Sequence, residues 1–231
     1  MYRARLAQAL PGLRDRMAGA ALAAGRDPSA VRLVAVTKGH PLEALEAALE
    51  AGIGDLGENR IEELEEKEAA LGRDRATWHM IGHLQSRKAA RAAGAADLIH
   101  SVDSLHLAEK LSRVAEARGV DVRVLAQVNS SGEESKSGLD AQGAVEAVLR
   151  MAGLPRLRVE GLMTMAPFVD DVEVLSSAFR RLRETLEEAR RHDPRVGPEL
   201  SMGMTNDFEI AIREGSTMVR IGTALFGERV P

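Results

Sequence analysis

The sequence contains no cysteine in 231 residues. That excludes disulfides, thiolate zinc sites and a cysteine nucleophile together. Aromatic residues make up 3% of a chain that is 45% hydrophobic, so its core has to be packed from Ala, Val, Leu, Ile and Met. No apolar run approaches the roughly 20 residues of a membrane span. The opening MYRARLAQALPGLRDRM scatters charges where a signal peptide would be continuously apolar. Net charge is -4 and no long basic block occurs, so the electrostatic footprint of a nucleic-acid partner is missing. No Pro/Gly/Ser-rich linker divides the chain. The expectation is one cytoplasmic domain over residues 1–231, with residues 1–27 as a helical extension broken by Pro11 and packed on the bottom or flank of the rest.

What is present is a recurring unit. Short apolar runs rich in β-branched residues begin at Val31, Ile53, Thr77, Asp97, Asp121, Leu157, Glu199 and Ser216. Stretches with helical periodicity separate them. One example is PLEALEAALEAG, with proline at its start and glycine at its end. The connections are too long for hairpins, so the strands are expected to be parallel. Eight strand-helix units predict an α/β fold, a single (β/α)8 TIM barrel. The alternative, an open doubly wound sheet, usually has five or six strands. GENRIEELEEKEA is acidic and helical after its first residues, with carboxylates expected to face solvent, and RRLRETLEEARR reads as a solvated helix face.

In such a barrel the C-terminal strand ends carry function. The first strand runs LVAVTKGHP and ends on Lys38. A lysine there can snorkel out of the mouth with its stem on apolar walls, or it can serve as a Schiff-base nucleophile once desolvation frees its amine. Barrel phosphate sites use the loops after strands seven and eight. Here these are SMGMTND and RIGTALFG, where Gly203 and Gly222 allow close backbone approach and Ser201, Thr205 and Thr223 supply hydroxyls. A helix starting at Asn206 would add N-terminal amides. Arg220 lies two residues before Gly222 and shares its side of the strand. It could pair with Glu160 or Glu199, or donate to a ring nitrogen. A lysine for an aldehyde, a phosphate cup and an arginine for a pyridine nitrogen together describe pyridoxal 5'-phosphate. His79 and His83 are four apart, but the glutamate of the zinc-helix motif is absent, no third ligand is apparent and the segment reads as strand, so no metal is expected. Met163, Met165, Met202 and Met204 are read as filling irregular gaps.

The segments AVTKGHP, GENR, WHMIGHLQSRK, SKSGL, GLMTMAP, SMGMTNDFEIAI and RIGTALFG, in this order from about Leu33 to Gly227, resemble the pyridoxal phosphate homeostasis protein family. The resemblance implies the barrel of the alanine racemase N-terminal domain. It also implies that Lys38 holds the cofactor as an internal aldimine and that Arg220 faces the pyridine nitrogen. Ser201, Gly222 and Thr223 would form the phosphate cup, with the backbone of Gly203, Met204 and Thr205 beside it, and Asn59 and His79 would line the pocket. Gly39 departs from the family pattern and is expected to loosen the loop; Thr205 stands where serine is common.

A permanently charged arginine leaves the ring nitrogen without its own proton, a poorer electron sink. The one tyrosine, Tyr2, lies in the N-terminal segment, and the chain stops four residues after RIGTALFG, leaving no room for the second domain of a racemase. The expectation is therefore a monomeric, non-catalytic carrier that serves intracellular cofactor homeostasis, with apo-enzymes as possible recipients. A low-activity amino-acid racemase is the alternative.

Overall fold

Val34, Leu98, Leu125, Met163 and Met218 form an apolar cluster of their own, separate from the main core. They come from five different strands, and such a plug exists where a sheet closes on itself. The computed structural model describes residues 1–133 and 137–228. Its strands are β1 (Arg32–Val36), β2 (Asp55–Glu58), β3 (Thr77–Met80), β4 (Leu98–Val102), β5 (Val122–Asn129), β6 (Leu139–Asp140), β7 (Leu157–Met163), β8 (Glu199–Ser201) and β9 (Met218–Ile221). They run β4-β3-β2-β1-β9-β8-β7-β5 side by side, and β4 pairs with β5 to close the ring. The pairings are parallel. The two-residue β6 adds to the outer end of β5 and stays outside the barrel. The expected (β/α)8 barrel is therefore observed.

The helices are α1 (Tyr2–Ala23), α2 (Leu42–Glu50), α3 (Ile61–Leu71), α4 (Ala89–Ala95), α5 (Leu105–Arg118), α6 (Ala144–Ala152), α7 (Val172–His192), α8 (Phe208–Arg213) and α9 (Thr223–Phe226). Local chemistry sets their ends. The Ser104 hydroxyl accepts from the Leu107 amide to open α5, and the Asp171 carboxylate accepts from the Glu173 and Val174 amides to open α7. Arg190, Arg191 and His192 close α7 at the negative end of its dipole.

Helix α1 is continuous, contrary to the expected break at Pro11. Pro11 is exposed, so its missing N–H falls on the solvent side, while Leu6, Leu10, Leu13, Met17, Ala20 and Ala21 form the buried stripe. That stripe packs against α2, α8 and α9, which places α1 on the barrel flank. The strand read from Thr77 stops at Met80, and His83 lies beyond it, mostly exposed and beside Asp103 at 3.2 Å. The helix expected at Asn206 begins two residues later, at Phe208.

The main core lies between barrel and helices, with Leu56, Trp78, Met80, Ile99, Phe179 and Phe208 among its side chains. At the N-terminal end of the barrel the interior is closed by ion pairs. Arg32 pairs with Glu199, and Arg123 with Glu160 at 2.8 Å. Both carboxylates considered as partners for Arg220 are thus taken by other arginines. No helix among the described residues is long and apolar enough to cross a membrane.

Candidate functional site

Strand register brings the sequence-selected residues to one rim. Strand β1 lies between β2 and β9, with Ala35 opposite Ile221, so Lys38 leaves the barrel beside Gly222 and Thr223. A Cβ on Gly222 would meet the Val36 side chain and carbonyl at 3.3 Å, so strands β1 and β9 close up at the mouth because this position has no side chain. The Arg220 amide donates to the Gly203 carbonyl at 3.0 Å, which sets the loop after β8 alongside. Lys38, Gly203 to Thr205, and Gly222 to Thr223 therefore share the mouth. Lys38 is half-buried.

Arg220 is buried inside the barrel just below this rim. Its Nη1 donates to the Ser201 carbonyl at 2.7 Å and to the Ser201 hydroxyl at 2.5 Å; its Nη2 donates to the Thr164 carbonyl at 2.8 Å. The Nε–H and one Nη2 hydrogen remain, two donors without an acceptor among the described residues. Burial pulls the guanidinium down to about 10, with nearby Asp207 acting in the opposite sense. It remains charged at neutral pH.

Behind Arg220 a single file of hydrogen bonds crosses the barrel. His100 Nδ1 meets the Ser201 hydroxyl at 2.8 Å, His100 Nε2 meets His79 Nδ1 at 2.8 Å, and His79 Nε2 meets Asp55 Oδ1 at 2.9 Å. The Asp55 carboxylate can only accept, so His79 holds its proton at Nε2. With His79 accepting at Nδ1, His100 donates at Nε2 and accepts the Ser201 O–H at Nδ1. The reverse tautomer of His100 would leave the Ser201 oxygen accepting twice, with no acceptor for its own hydrogen. Every donor thus points from Arg220 toward Asp55.

His100 is fully buried, and burial, reinforced by His79 and Arg220, holds its imidazole well below the usual histidine range. An unfolded chain takes up a proton at this position below about pH 6.5 and the folded chain does not, so stability is lost as pH falls. Between pH 7 and 5.5 the term is about 1 kcal/mol. Urea unfolding of His100→Gln should show a shallower acid loss than the parent by that amount; equal slopes would mean His100 is charged in the fold.

Three groups of the expected site are already engaged by protein partners. The Ser201 hydroxyl, expected in the phosphate cup, lies between His100 and Arg220 in the barrel interior. His79 lines no pocket with a polar atom, since both ring nitrogens are engaged and the side chain is fully buried. The Met204 amide is taken by the Asp207 carboxylate at 2.5 Å. The remaining anion-binding groups are the backbone at Gly203 and Gly222 and the hydroxyls of Thr205 and Thr223, which make no hydrogen bond among the described residues. The Asn59 side chain, half-buried at the end of β2, likewise has none. Sequence reasoning missed His100 and Asp55. His100 stands two residues after the plug residue Leu98, a period-two signal that it points into the barrel. No group of three or more metal-ligating side chains occurs among the described residues. Ser135 and Lys136 of the SKSGL segment lie outside those residues.

The family model for the alanine racemase N-terminal domain matches residues 18–230. The pyridoxal phosphate homeostasis protein of Pseudomonas aeruginosa is 43% identical over 97% of this chain and 96% of its own length. A crystal structure of an unknown protein from Bifidobacterium adolescentis superposes with a TM-score of 0.93 at 40% identity, covering 97% of this chain and 96% of that one. PipY of Synechococcus elongatus, solved with PLP bound, gives a TM-score of 0.81 at 36% identity over 93% of this chain and 99% of PipY.

Proposed function

The chain belongs to the pyridoxal phosphate homeostasis protein family, and on that premise we propose that it binds pyridoxal 5'-phosphate at this rim and carries it without catalysing a reaction, in the service of intracellular cofactor homeostasis. The observation that carries the reading is Arg220. It is a buried guanidinium with two donors left over, on the same rim as a half-buried lysine and two threonines with unspent hydroxyls. Those are the complements of a pyridine nitrogen, an aldehyde and a phosphate. When bound, the group supplies an aldehyde that condenses reversibly with an amine.

Lys38 supplies the amine. Half-buried just beyond the end of β1, its side chain would hold the group by that amine. Arg220 would donate to the ring nitrogen and, staying charged, would keep a proton off it. Thr205 and Thr223 would donate to the phosphate, and the glycines at 203 and 222 would let backbone approach it. Asn59, at the end of β2, would border the ring.

The non-catalytic reading is supported by Tyr2, the one tyrosine of the chain. Its hydroxyl meets His40 Nδ1 at 3.3 Å and its ring packs edge-on against His40 and Phe226, so that hydroxyl already has a side-chain partner. Delivery to apo-enzymes is the use that a reversible, enclosed linkage suits.

Borohydride reduction of the loaded protein followed by peptide mass spectrometry should find the adduct on Lys38. Lys38→Ala should abolish it along with the visible absorbance of the bound cofactor. An unchanged band and stoichiometry in that variant would sink the assignment.

A further inference from the structure

The peptide groups on either side of Lys38 are both held by side chains of one helix. Lys67 of α3 donates from Nζ to the Thr37 carbonyl at 2.7 Å, and Glu63 of α3 accepts the Gly39 amide at 2.6 Å. The two side chains bond each other at 2.7 Å, and Lys67 also bonds Glu58 Oε1 at 2.7 Å. Thr37 adds its hydroxyl to the same Glu58 oxygen at 2.5 Å. All three Lys67 ammonium hydrogens are therefore committed. This lysine is a fixed cation and not a competing nucleophile.

The cluster is a poor device for stability. Glu58 is fully buried, and its Oε2 has no partner. Burial raises the Glu58 carboxyl above its usual range despite Lys67 and Thr37. At Glu63 burial works the same way, but the bonds from Lys67 and Gly39 outweigh it and hold that carboxyl low. An apolar residue at 67 would continue the buried stripe Ile61, Leu64, Leu71 and avoid the desolvation. What charge supplies here is direction: a donor aimed at one peptide and an acceptor at the other. The turn itself needs Gly39, whose φ is +70°. Gly39 was expected to loosen the loop; instead its amide is pinned and its left-handed geometry is used.

We infer that Lys67, seated on Glu58 and Glu63, is a positioning residue that holds the backbone around Lys38 so that its amine is delivered to the cofactor aldehyde. The inference rests on the reading of Lys38 as the attachment point. The ordering cost of the turn is met during folding and not at each binding event. Its loss should weaken the covalent linkage while leaving ring and phosphate contacts intact.

Two probes separate these effects. Pyridoxal 5'-phosphate can bond to Lys38, whereas pyridoxine 5'-phosphate, lacking the aldehyde, makes only the other contacts. In Lys67→Met, affinity for the aldehyde should fall by about tenfold or more, while affinity for pyridoxine phosphate stays within about twofold. Glu63→Ala, on a partly exposed side chain, frees the Gly39 amide and removes one of the three Lys67 partners while leaving the Lys67 bond to the Thr37 carbonyl, and should give a smaller change in the same sense; it carries the test if Lys67→Met does not fold. Equal losses for both probes, or no loss for either, would overturn the inference. If instead the parent protein binds both probes equally and yields no reducible adduct at Lys38, the attachment reading is what fails.

Discussion

Replacing Gly161 by alanine is expected to lower the melting temperature of the cofactor-free protein by about 8–16 °C, a cost above about 4 kcal/mol. Gly161 has φ of +149°, and a Cβ there would stand 1.9 Å from the Glu199 carbonyl oxygen of β8. Backbone is the obstacle, so no rotamer change relieves it. The position also matters for register. Val124 faces Val159 but Leu125 faces Gly161, so Glu160 is an extra residue that bulges β7. The bulge reverses the in–out alternation downstream. It turns Met163 into the barrel plug and presents the Thr164 carbonyl to Arg220. Differential scanning calorimetry checks the stability, and a shift under about 3 °C would mean that β7 and β8 separate more easily than this packing allows.

Arg220→Leu should destabilise the cofactor-free protein by about 3 kcal/mol and weaken binding of pyridoxal 5'-phosphate by about 10- to 100-fold. The first effect follows from the hydrogen bonds lost in the interior. Ser201 loses a donor at its carbonyl and another at its hydroxyl, and Thr164 loses one at its carbonyl. The second follows from the two donors that Arg220 has left for a ligand. Urea unfolding reads the first effect and fluorescence titration the second. Arg220→Lys keeps the charge but cannot reproduce the fork, so it should recover part of the stability and little of the affinity. Unchanged affinity in Arg220→Leu would remove Arg220 from the cofactor site whatever happens to stability.

The carboxylates of GENRIEELEEKEA show how far a sequence pattern reaches. An acidic helix was expected to face solvent. Glu62 and Glu65 do so while pairing with Lys88 and Arg91 of the next strand-helix unit. Glu58 and Glu63 instead turn inward around Lys67. The clue was a lysine on the apolar stripe Ile61, Leu64, Leu71, but the stripe alone does not say which partners wait across the interface. Ser201 makes the same point at the rim. Gly203 and Thr205 follow it in the loop at the mouth, while its own side chain enters the barrel. In a parallel barrel both strand faces are buried, so apolar content cannot tell interior from exterior.

The chain alone determined the periodic elements, the eight-fold repetition of strand and helix, and hence the barrel. These depend on residue order within about ten positions, where apolar spacing and terminal residues act locally. It also marked Lys38, Arg220 and the two glycine loops, because a barrel collects its C-terminal strand ends at one mouth. Closure of β4 on β5, the bulge at Glu160, the file from Arg220 to Asp55 and the hold of α3 on the Lys38 turn were decided by tertiary structure. Each depends on groups distant in sequence whose contact is set by strand register and barrel curvature. One local pattern is compatible with several such arrangements, and packing selects among them.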